Sequence, residues 1–273
     1  MNGEIAQFVA LVCHGNAFFA GSAVPDLLSA NSTFQFCESV RFLEFTKTPL
    51  AGAREIELAA NPNQWFSALL QRSVPGLRLS RASGNGSLLP DRMSSAFVGG
   101  NGVWEIEAVK RNGFSEFWRV RWDVGNRNAP NHRIWRVTCG SVAETRTSKP
   151  VVEDLNSLKG RLEQALREIH DFSEKHGCGE FTRCFSNALE SLTPAAPKRG
   201  FHKDLSPNGI LSSDALALLD SCQTAWVFGG MGSWNDLVFQ GEDGREYDRV
   251  SDNLFRLAGE IIPAATNDSF KFV

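Results

Sequence analysis

The spacing of apolar residues changes near Pro150, and this change constrains the fold more than any other feature of the sequence. Before Pro150, apolar and polar side chains alternate, as in a β-strand. Beyond it, apolar side chains recur every three or four residues, as in an amphipathic helix. Strands followed by helices are typical of α+β folds with separate layers. The sequence therefore predicts an α+β fold: a mostly antiparallel β region with one short helix over residues 1–147, then a layer of about four helices over residues 151–273.

The clearest local prediction is a β-hairpin followed by a third strand. Apolar side chains occupy even positions of two segments, and charged side chains occupy odd ones. The apolar positions are Trp104, Ile106, Trp118, Val120 and Trp122. A three-residue loop at 111–113 sets Ile106 opposite Trp118 on an inner face. The same register sets Glu105 opposite Arg119 on an outer face, which we expect to be solvated and ion-paired. A strand over residues 133–139 completes a meander.

The first hundred residues carry three further predictions. Residues 5–13 and 17–20 are predicted to be strands joined by a turn at His14-Gly15-Asn16. Asn61 is a good helix cap and precedes a proline at the first helical position, so a short helix is expected there. Residues 80–102 are rich in glycine and serine, which predicts a loop.

Four segments beyond Pro150 carry helical stripes of apolar residues. The stripes run through residues 152–172, 181–192, 216–226 and 247–261. A serine at 212 or 213 is predicted to begin the third helix, and Pro263 to end the fourth. The polar stretch from Ala143 to Pro150 is the predicted boundary between the two regions.

Composition narrows the class of protein. Apolar residues make up 42% of the chain and charged residues 22%, which is ordinary globular usage. No apolar run approaches the roughly 18 residues of a membrane span, and the first residues lack the positive charge of a secretory signal. The six cysteines are scattered without Cys-x-x-Cys pairs. Reduced thiols and a cytoplasmic location are therefore expected.

The net charge of −3 is divided unevenly along the chain. Residues 1–150 contain 16 Lys and Arg against 12 Asp and Glu, whereas residues 151–273 contain 12 against 19. Such an asymmetry can steer or dock a charged partner. It falls short of the basic excess typical of a dedicated nucleic-acid-binding protein, so nucleic-acid binding by the Arg-rich N-terminal half is kept as an alternative.

Two cysteine–histidine pairs are candidates for nucleophilic catalysis. Cys139 ends a strand, His132 precedes it by seven residues, and Asp123 lies on the neighbouring strand. This set includes a nucleophile, a base and an orienting carboxylate. Cys13 and His14 form the second pair. Alternation makes Cys139 a core residue, and the chain lacks the Gly-x-Ser-x-Gly motif of α/β-hydrolases, so both candidates are weak.

The remaining histidines and cysteines near the middle of the chain do not have the spacing of a zinc site. His170, His176, Cys178 and Cys184 are separated by five, one and five residues. Zinc sites favour closer pairs, such as two cysteines two to four residues apart. No metal site is predicted.

Residues 226–236 form the most unusual segment, with two tryptophans around a run of glycines. The segment lacks the preceding strand and the Lys-Ser/Thr pair of a phosphate-binding loop, so no nucleotide or other cofactor is predicted. It is interpreted either as a packed corner or as a partner-binding surface. The predicted partner-binding residues are Met231, Trp234, Asn235 and Asp236.

These observations favour a non-catalytic interaction protein, such as a bacterial accessory, immunity-type or defence-associated adaptor, whose partner is another protein. The first alternative is a hydrolase or transferase that uses a cysteine. The second is nucleic-acid binding. No membrane association is expected, and the oligomeric state, the partner and the biological process are left open.

Overall fold

The computed structural model describes residues 1–48, 52–82, 91–95, 102–111, 114–129, 131–147, 154–193 and 199–271. Within these ranges the helices are α1 (Gly3–Phe19), α2 (Leu27–Ala30), α3 (Pro62–Gln71), α4 (Asp91–Ser94), α5 (Leu155–Lys175), α6 (Gly179–Ser191), α7 (Ser213–Thr224) and α8 (Gly241–Asn267). The strands are β1 (Cys37–Thr48), β2 (Gly52–Ala59), β3 (Gly76–Ala82), β4 (Val103–Val109), β5 (Phe114–Val124) and β6 (Trp135–Thr147). The α+β class is confirmed.

The six strands form one mixed sheet in the order β2-β1-β6-β5-β4-β3. Neighbouring strands are antiparallel except β1 and β6, which run parallel. The prediction of a mostly antiparallel sheet is therefore correct in part. The parallel pair was not predicted because it joins segments about 100 residues apart, and no turn signal marks such a pairing.

The predicted meander of β4, β5 and β6 is confirmed, with Ile106 opposite Trp118. The Lys110 amide donates a hydrogen bond to the Phe114 carbonyl at 3.0 Å across the loop. Residues 112 and 113 of this loop lie outside the described ranges. Arg119 pairs with Glu105 at 2.7 Å, as predicted. However, Glu105 and Glu107 are buried, so the expectation of a solvated outer face is wrong at this end of the sheet.

The predicted strands over residues 5–13 and 17–20 are wrong, because residues 3–19, including His14-Gly15-Asn16, form one helix, α1. Asn2 caps it by accepting a hydrogen bond from the Ile5 amide at 3.0 Å. All residues from 5 to 17 are buried, so the helix has no polar face and its sequence shows no helical period. The glycine inside it allows close packing, since a Cβ at Gly15 would lie 2.6 Å from Leu77 Cδ1.

The other helices follow their sequence signals more closely. Asn61 caps α3, and Ser212 caps α7. The predicted stripes of α5, α6 and α7 face the core. The predicted end of α8 at Pro263 is wrong, since the helix runs on to Asn267 with Pro263 inside it. A proline removes one hydrogen bond, and the burial of Ala265 and Thr266 beyond it offsets that loss.

Two predicted connections are described only in part. Residues 80–82 of the predicted loop belong to β3 and residues 91–94 form α4, whereas 83–90 and 96–101 lie outside the described ranges. Strand β6 continues to Thr147, and residues 148–153 are likewise outside them. The division into regions 1–147 and 151–273 stays a prediction.

Helices α1, α3 and α8 cover one face of the sheet. Trp65 of α3 stacks on Phe42 of β1 with ring centroids 4.4 Å apart, and Phe8 of α1 contacts Trp122 of β5 at 5.8 Å. Helix α8 packs on β3 and on α1, while α5, α6 and α7 pack on α8 and on one another. Nearly all the buried apolar residues in the described part of the chain belong to one continuous core. Among the described helices, none is long and apolar enough to cross a membrane.

Candidate functional site

A cavity of about 540 Å³ opens beside the first turn of α1. It is also lined by the segment before β1, the end of β5, the start of β6, and the loops around residues 201 and 229. Its size is that of a ligand-binding pocket. Aromatic side chains form much of its lining: Phe36, Trp122, Trp135, Phe201 and Phe228. The glycines Gly229 and Gly230, from the unusual segment found in the sequence, line one side.

Three polar residues form a hydrogen-bonded cluster at this cavity. The Ser32 hydroxyl lies 2.8 Å from Nδ1 of His202 and also contacts a carboxylate oxygen of Asp204. The Ser32 amide donates to the other oxygen of the same carboxylate at 2.7 Å. Ser32 and His202 line the cavity, whereas Asp204 contacts Ser32 without being part of the lining. We call these three residues the serine–histidine cluster.

The contacts of this cluster fix where its protons lie. A carboxylate only accepts, so the single hydroxyl proton of Ser32 is donated to Asp204. The Ser32 oxygen then accepts from an Nδ1–H of His202, which leaves the lone pair of a neutral imidazole on Nε2. Burial lowers the pKa of His202, which favours this neutral form. Ser32 therefore links Asp204 to His202. In a serine nucleophile the hydroxyl proton is donated to the histidine, whereas here it is donated to Asp204.

The loop that carries His202 is held by α7. The buried carboxylate of Asp220 accepts from the backbone amides of Arg199 and Gly200, each at 2.9 Å, and from the Ser191 hydroxyl at 2.8 Å. Gln223 of the same helix accepts from the His202 amide at 3.1 Å and donates to its carbonyl at 3.3 Å. The position of the imidazole is thus set by two polar side chains of one helix.

A second layer of polar residues supports Asp204. Its carbonyl oxygen lies 3.0 Å from Nε2 of His14 and accepts from the Asn31 amide group at 2.7 Å. Both side chains are buried, and burial lowers the pKa of His14. His14, predicted in a turn and as a weak catalytic candidate, is instead a buried residue of α1 that contacts the backbone of Asp204.

The aromatic wall is fixed by a glutamine. The Trp122 indole donates to Gln7 at 2.7 Å, and Gln7 donates to the Thr33 carbonyl at 2.9 Å. Two phenylalanines at the rim of the cavity are open to solvent. Phe201 is 75% exposed and Phe36 is 49% exposed. Large apolar side chains exposed around a concave site are typical of a binding surface.

The predicted partner-binding residues differ in their exposure to solvent. Trp234 is completely buried, and its indole donates to Ser251 at 2.7 Å, so it does not reach the surface. This placement removes Trp234 from the predicted partner surface. Asn235 donates to the Arg92 carbonyl, and Asp236 accepts from the Gly232 amide. Met231 is fully exposed, one residue beyond the glycines that line the cavity.

The catalytic candidates are not brought together. Cys139 is buried in the core, whereas His132 is exposed in the connection before β6. Asp123 is engaged by Arg121 at 2.9 Å. Cys13 is buried within α1. Among the described residues, the group of potential metal ligands that lies within 4.8 Å is His170, Asp171 and Glu174, which does not include Cys178 or Cys184.

We expect all six thiols to react slowly at neutral pH, because burial raises the pKa of each. The pKa of Cys13 and of Cys222 is raised to about 12 and that of Cys37 to about 11, and the pKa values of Cys139, Cys178 and Cys184 are also raised. Only the thiolate is nucleophilic. Alkylation by iodoacetamide at pH 7.5, followed by mass spectrometry, should be slower at every site than in free cysteine. Guanidinium-unfolded protein is the control and should react at all six. One thiol that outpaces free cysteine would contradict this expectation.

Sequence reasoning missed the serine–histidine cluster, because its parts lie about 170 residues apart. His202 is the one histidine of the five that carried no prediction. The adjacent Phe201 is not a distinguishing signal, since single apolar residues in surface loops are common.

Comparison of the chain with protein-family models, with curated proteins and with solved structures finds no match.

Proposed function

We propose that this chain is a non-catalytic binding protein of the cytoplasm, of the adaptor or immunity type, whose cavity receives an apolar side chain of another protein. The observation that carries the proposal is the combination of a concave, aromatic-lined cavity with a solvent-exposed rim of Phe36 and Phe201. Anchoring of one large side chain in a pocket surrounded by less critical contacts is the common pattern at protein interfaces. The free cysteines are consistent with a reducing compartment.

The charge pattern of the sheet supports a protein partner over a nucleic acid. Arginines of the outer face are matched by acidic neighbours. The ion pairs are Arg41 with Glu57 at 3.6 Å, Arg119 with Glu105 at 2.7 Å, Arg121 with Asp123 at 2.9 Å, and Arg136 with Glu38 at 3.0 Å. Phosphate binding relies on cations that release counterions, and arginines already paired with carboxylates contribute less to it.

The cysteine-dependent alternative has less support. A nucleophilic cysteine needs a lowered pKa and a base within hydrogen-bond reach. The pKa of Cys139 and that of Cys13 are raised by burial, and His132 is exposed while Cys139 lies in the core. Neither of these two cysteines lines the cavity, which favours binding there without covalent chemistry at their sulfur atoms.

The partner-binding proposal is tested by site-specific photocrosslinking. The photoreactive residue p-benzoylphenylalanine is placed at position 201 on the rim or, in a matched control, at Phe114. Phe114 is also an exposed phenylalanine, but it lies at the start of β5 and is not part of the cavity lining. We expect one dominant adduct from position 201 in cells that make the protein, and no such adduct from position 114.

Competition with unlabelled protein tests whether formation of the adduct depends on the cavity. An excess of wild-type protein should suppress the adduct, whereas an excess of the Phe201→Ala variant should do so about fivefold less well, because loss of an aromatic contact at the rim of an interface costs on the order of 1 kcal/mol. Equal adducts from positions 201 and 114, or equal competition by both proteins, would count against the proposal.

A further inference from the structure

The serine–histidine cluster defines what chemical group the cavity accepts. We infer that the cavity takes a planar aromatic group with its own N–H or O–H donor, an indole or a phenol, and that this donor binds Nε2 of His202. The inference rests on the proposed function and deepens it: the inserted side chain of the partner is tryptophan or tyrosine.

The first argument is the state of His202. Its Nδ1–H is donated to Ser32, whose own proton goes to Asp204, so Nε2 carries a lone pair. Among the described residues Nε2 has no hydrogen-bond partner, and it is not sealed in the core, because His202 lines the cavity. A ligand without a donor leaves this acceptor unsatisfied as it displaces water, whereas a ligand with a donor satisfies it.

The second argument is the shape and chemistry of the walls. Trp122, Trp135 and Phe228 line the cavity together with the rim residues Phe36 and Phe201. Aromatic rings pack well on one another in offset or edge-to-face arrangements. Tryptophan and tyrosine combine a flat apolar body with a single polar tip, and the cavity combines aromatic walls with the acceptor of His202.

The third argument is that the acceptor is held in place before any ligand binds. The His202 backbone is bonded on both sides to Gln223, and the preceding amides are bonded to Asp220. The imidazole is fixed at Nδ1 by Ser32. A preorganised group loses little conformational entropy on binding, so most of the hydrogen-bond energy contributes to discrimination between ligands.

The inference is tested with two probes that share the same ring system, indole and 1-methylindole, the second of which carries a methyl group in place of the donor hydrogen. Each is titrated into the full chain, and protein-observed NMR follows the indole N–H signals of Trp122 and Trp135. We expect both probes to shift cavity signals and indole to bind about tenfold more tightly, the usual effect of one hydrogen bond to a preorganised acceptor.

Variants assign the preference to His202. His202→Phe keeps a ring in place and removes the acceptor, so it should bind the two probes equally. Ser32→Ala no longer fixes the protonated nitrogen and should reduce the preference at least threefold. His170→Phe, a substitution on α5 outside the cavity lining, should leave the preference unchanged. The amide spectrum of each variant confirms that it is folded.

Three outcomes overturn the inference: equal binding of the two probes by the wild type, a preference that survives in His202→Phe, or no shift of cavity signals with either probe. Each is distinguishable from failure of the proposed function. If the probes bind equally while photocrosslinking from position 201 still yields its adduct, the donor assignment is wrong and protein binding stands. If indole is preferred but no adduct forms, the cavity serves a small aromatic ligand.

Discussion

Replacing Trp234 by alanine is expected to lower the free energy of unfolding by about 3–5 kcal/mol, the usual cost of deleting a large aromatic side chain from a core. Its ring lies 5.3 Å from Phe181 and from Phe185 and 5.5 Å from Tyr247, and its indole N–H is satisfied by Ser251. The substitution therefore opens a cavity among α6, α8 and the loop between α7 and α8. Urea denaturation followed by circular dichroism measures the loss.

Met231→Ala is the matched control, because Met231 belongs to the same segment but is fully exposed. Its effect on stability should stay within about 0.5 kcal/mol. The pair also separates the two interpretations of this segment. A Trp234→Ala variant of nearly unchanged stability would mean that the indole is not part of the core and would return it to the partner surface.

Asp220→Ala is expected to cost about 3–5 kcal/mol, because it leaves two buried donors and one partly buried donor without their acceptor, each buried bond to a charged group being worth about 1.5–3 kcal/mol. These donors are the Ser191 hydroxyl and the amides of Arg199 and Gly200. Asp220→Asn keeps the shape and one acceptor oxygen, so a smaller loss of about 2–3 kcal/mol is expected. Denaturant unfolding measures both.

The control for this experiment is Asp214→Ala on the same helix. Asp214 is partly exposed and its carboxylate lies 3.4 Å from the Lys159 ammonium, so its removal should cost less than about 1 kcal/mol. Asp220→Asn should also weaken the preference for indole over 1-methylindole, since the loop that carries His202 loses a support. Full stability of Asp220→Ala would show that the 199–200 loop does not depend on this carboxylate.

The parts of the fold that were predictable from the sequence are those in which one face of an element is buried and the other is not. Strands β4 and β5 alternate strictly, so even the pairing of Ile106 with Trp118 followed from the sequence. The stripe of α5 and the cap at Asn61 were equally explicit. In these elements the local pattern and the tertiary environment agree.

Helix α1 shows why the remainder was not predictable. Because it is buried on every side, its apolar residues carry no period, and the His14-Gly15-Asn16 sequence favours a turn until tertiary packing overrides that tendency. The parallel pairing of β1 with β6 has no local signal either. Both features depend on contacts between distant parts of the chain.

The candidate site was unpredictable for the same reason. Ser32 lies in a short turn before β1, and His202 lies in a loop before α7. Only the packing of α7 near the N-terminal half brings the Ser32 hydroxyl within 2.8 Å of Nδ1 of His202. No motif spacing describes such a pair. The sequence singled out the segment 226–236, but the residues predicted there as partner-binding do not line the cavity, whereas Gly229 and Gly230 do.

The burial of α1 between the sheet and α8 has a consequence for biosynthesis. About 220 residues separate the end of α1 from the start of α8. At about 5–20 residues per second, the ribosome needs roughly 10–40 s to supply the helix that covers it. During that interval an apolar helix without a polar face is open to aggregation. Nascent chains of this protein should therefore engage a cotranslational chaperone through residues 5–17.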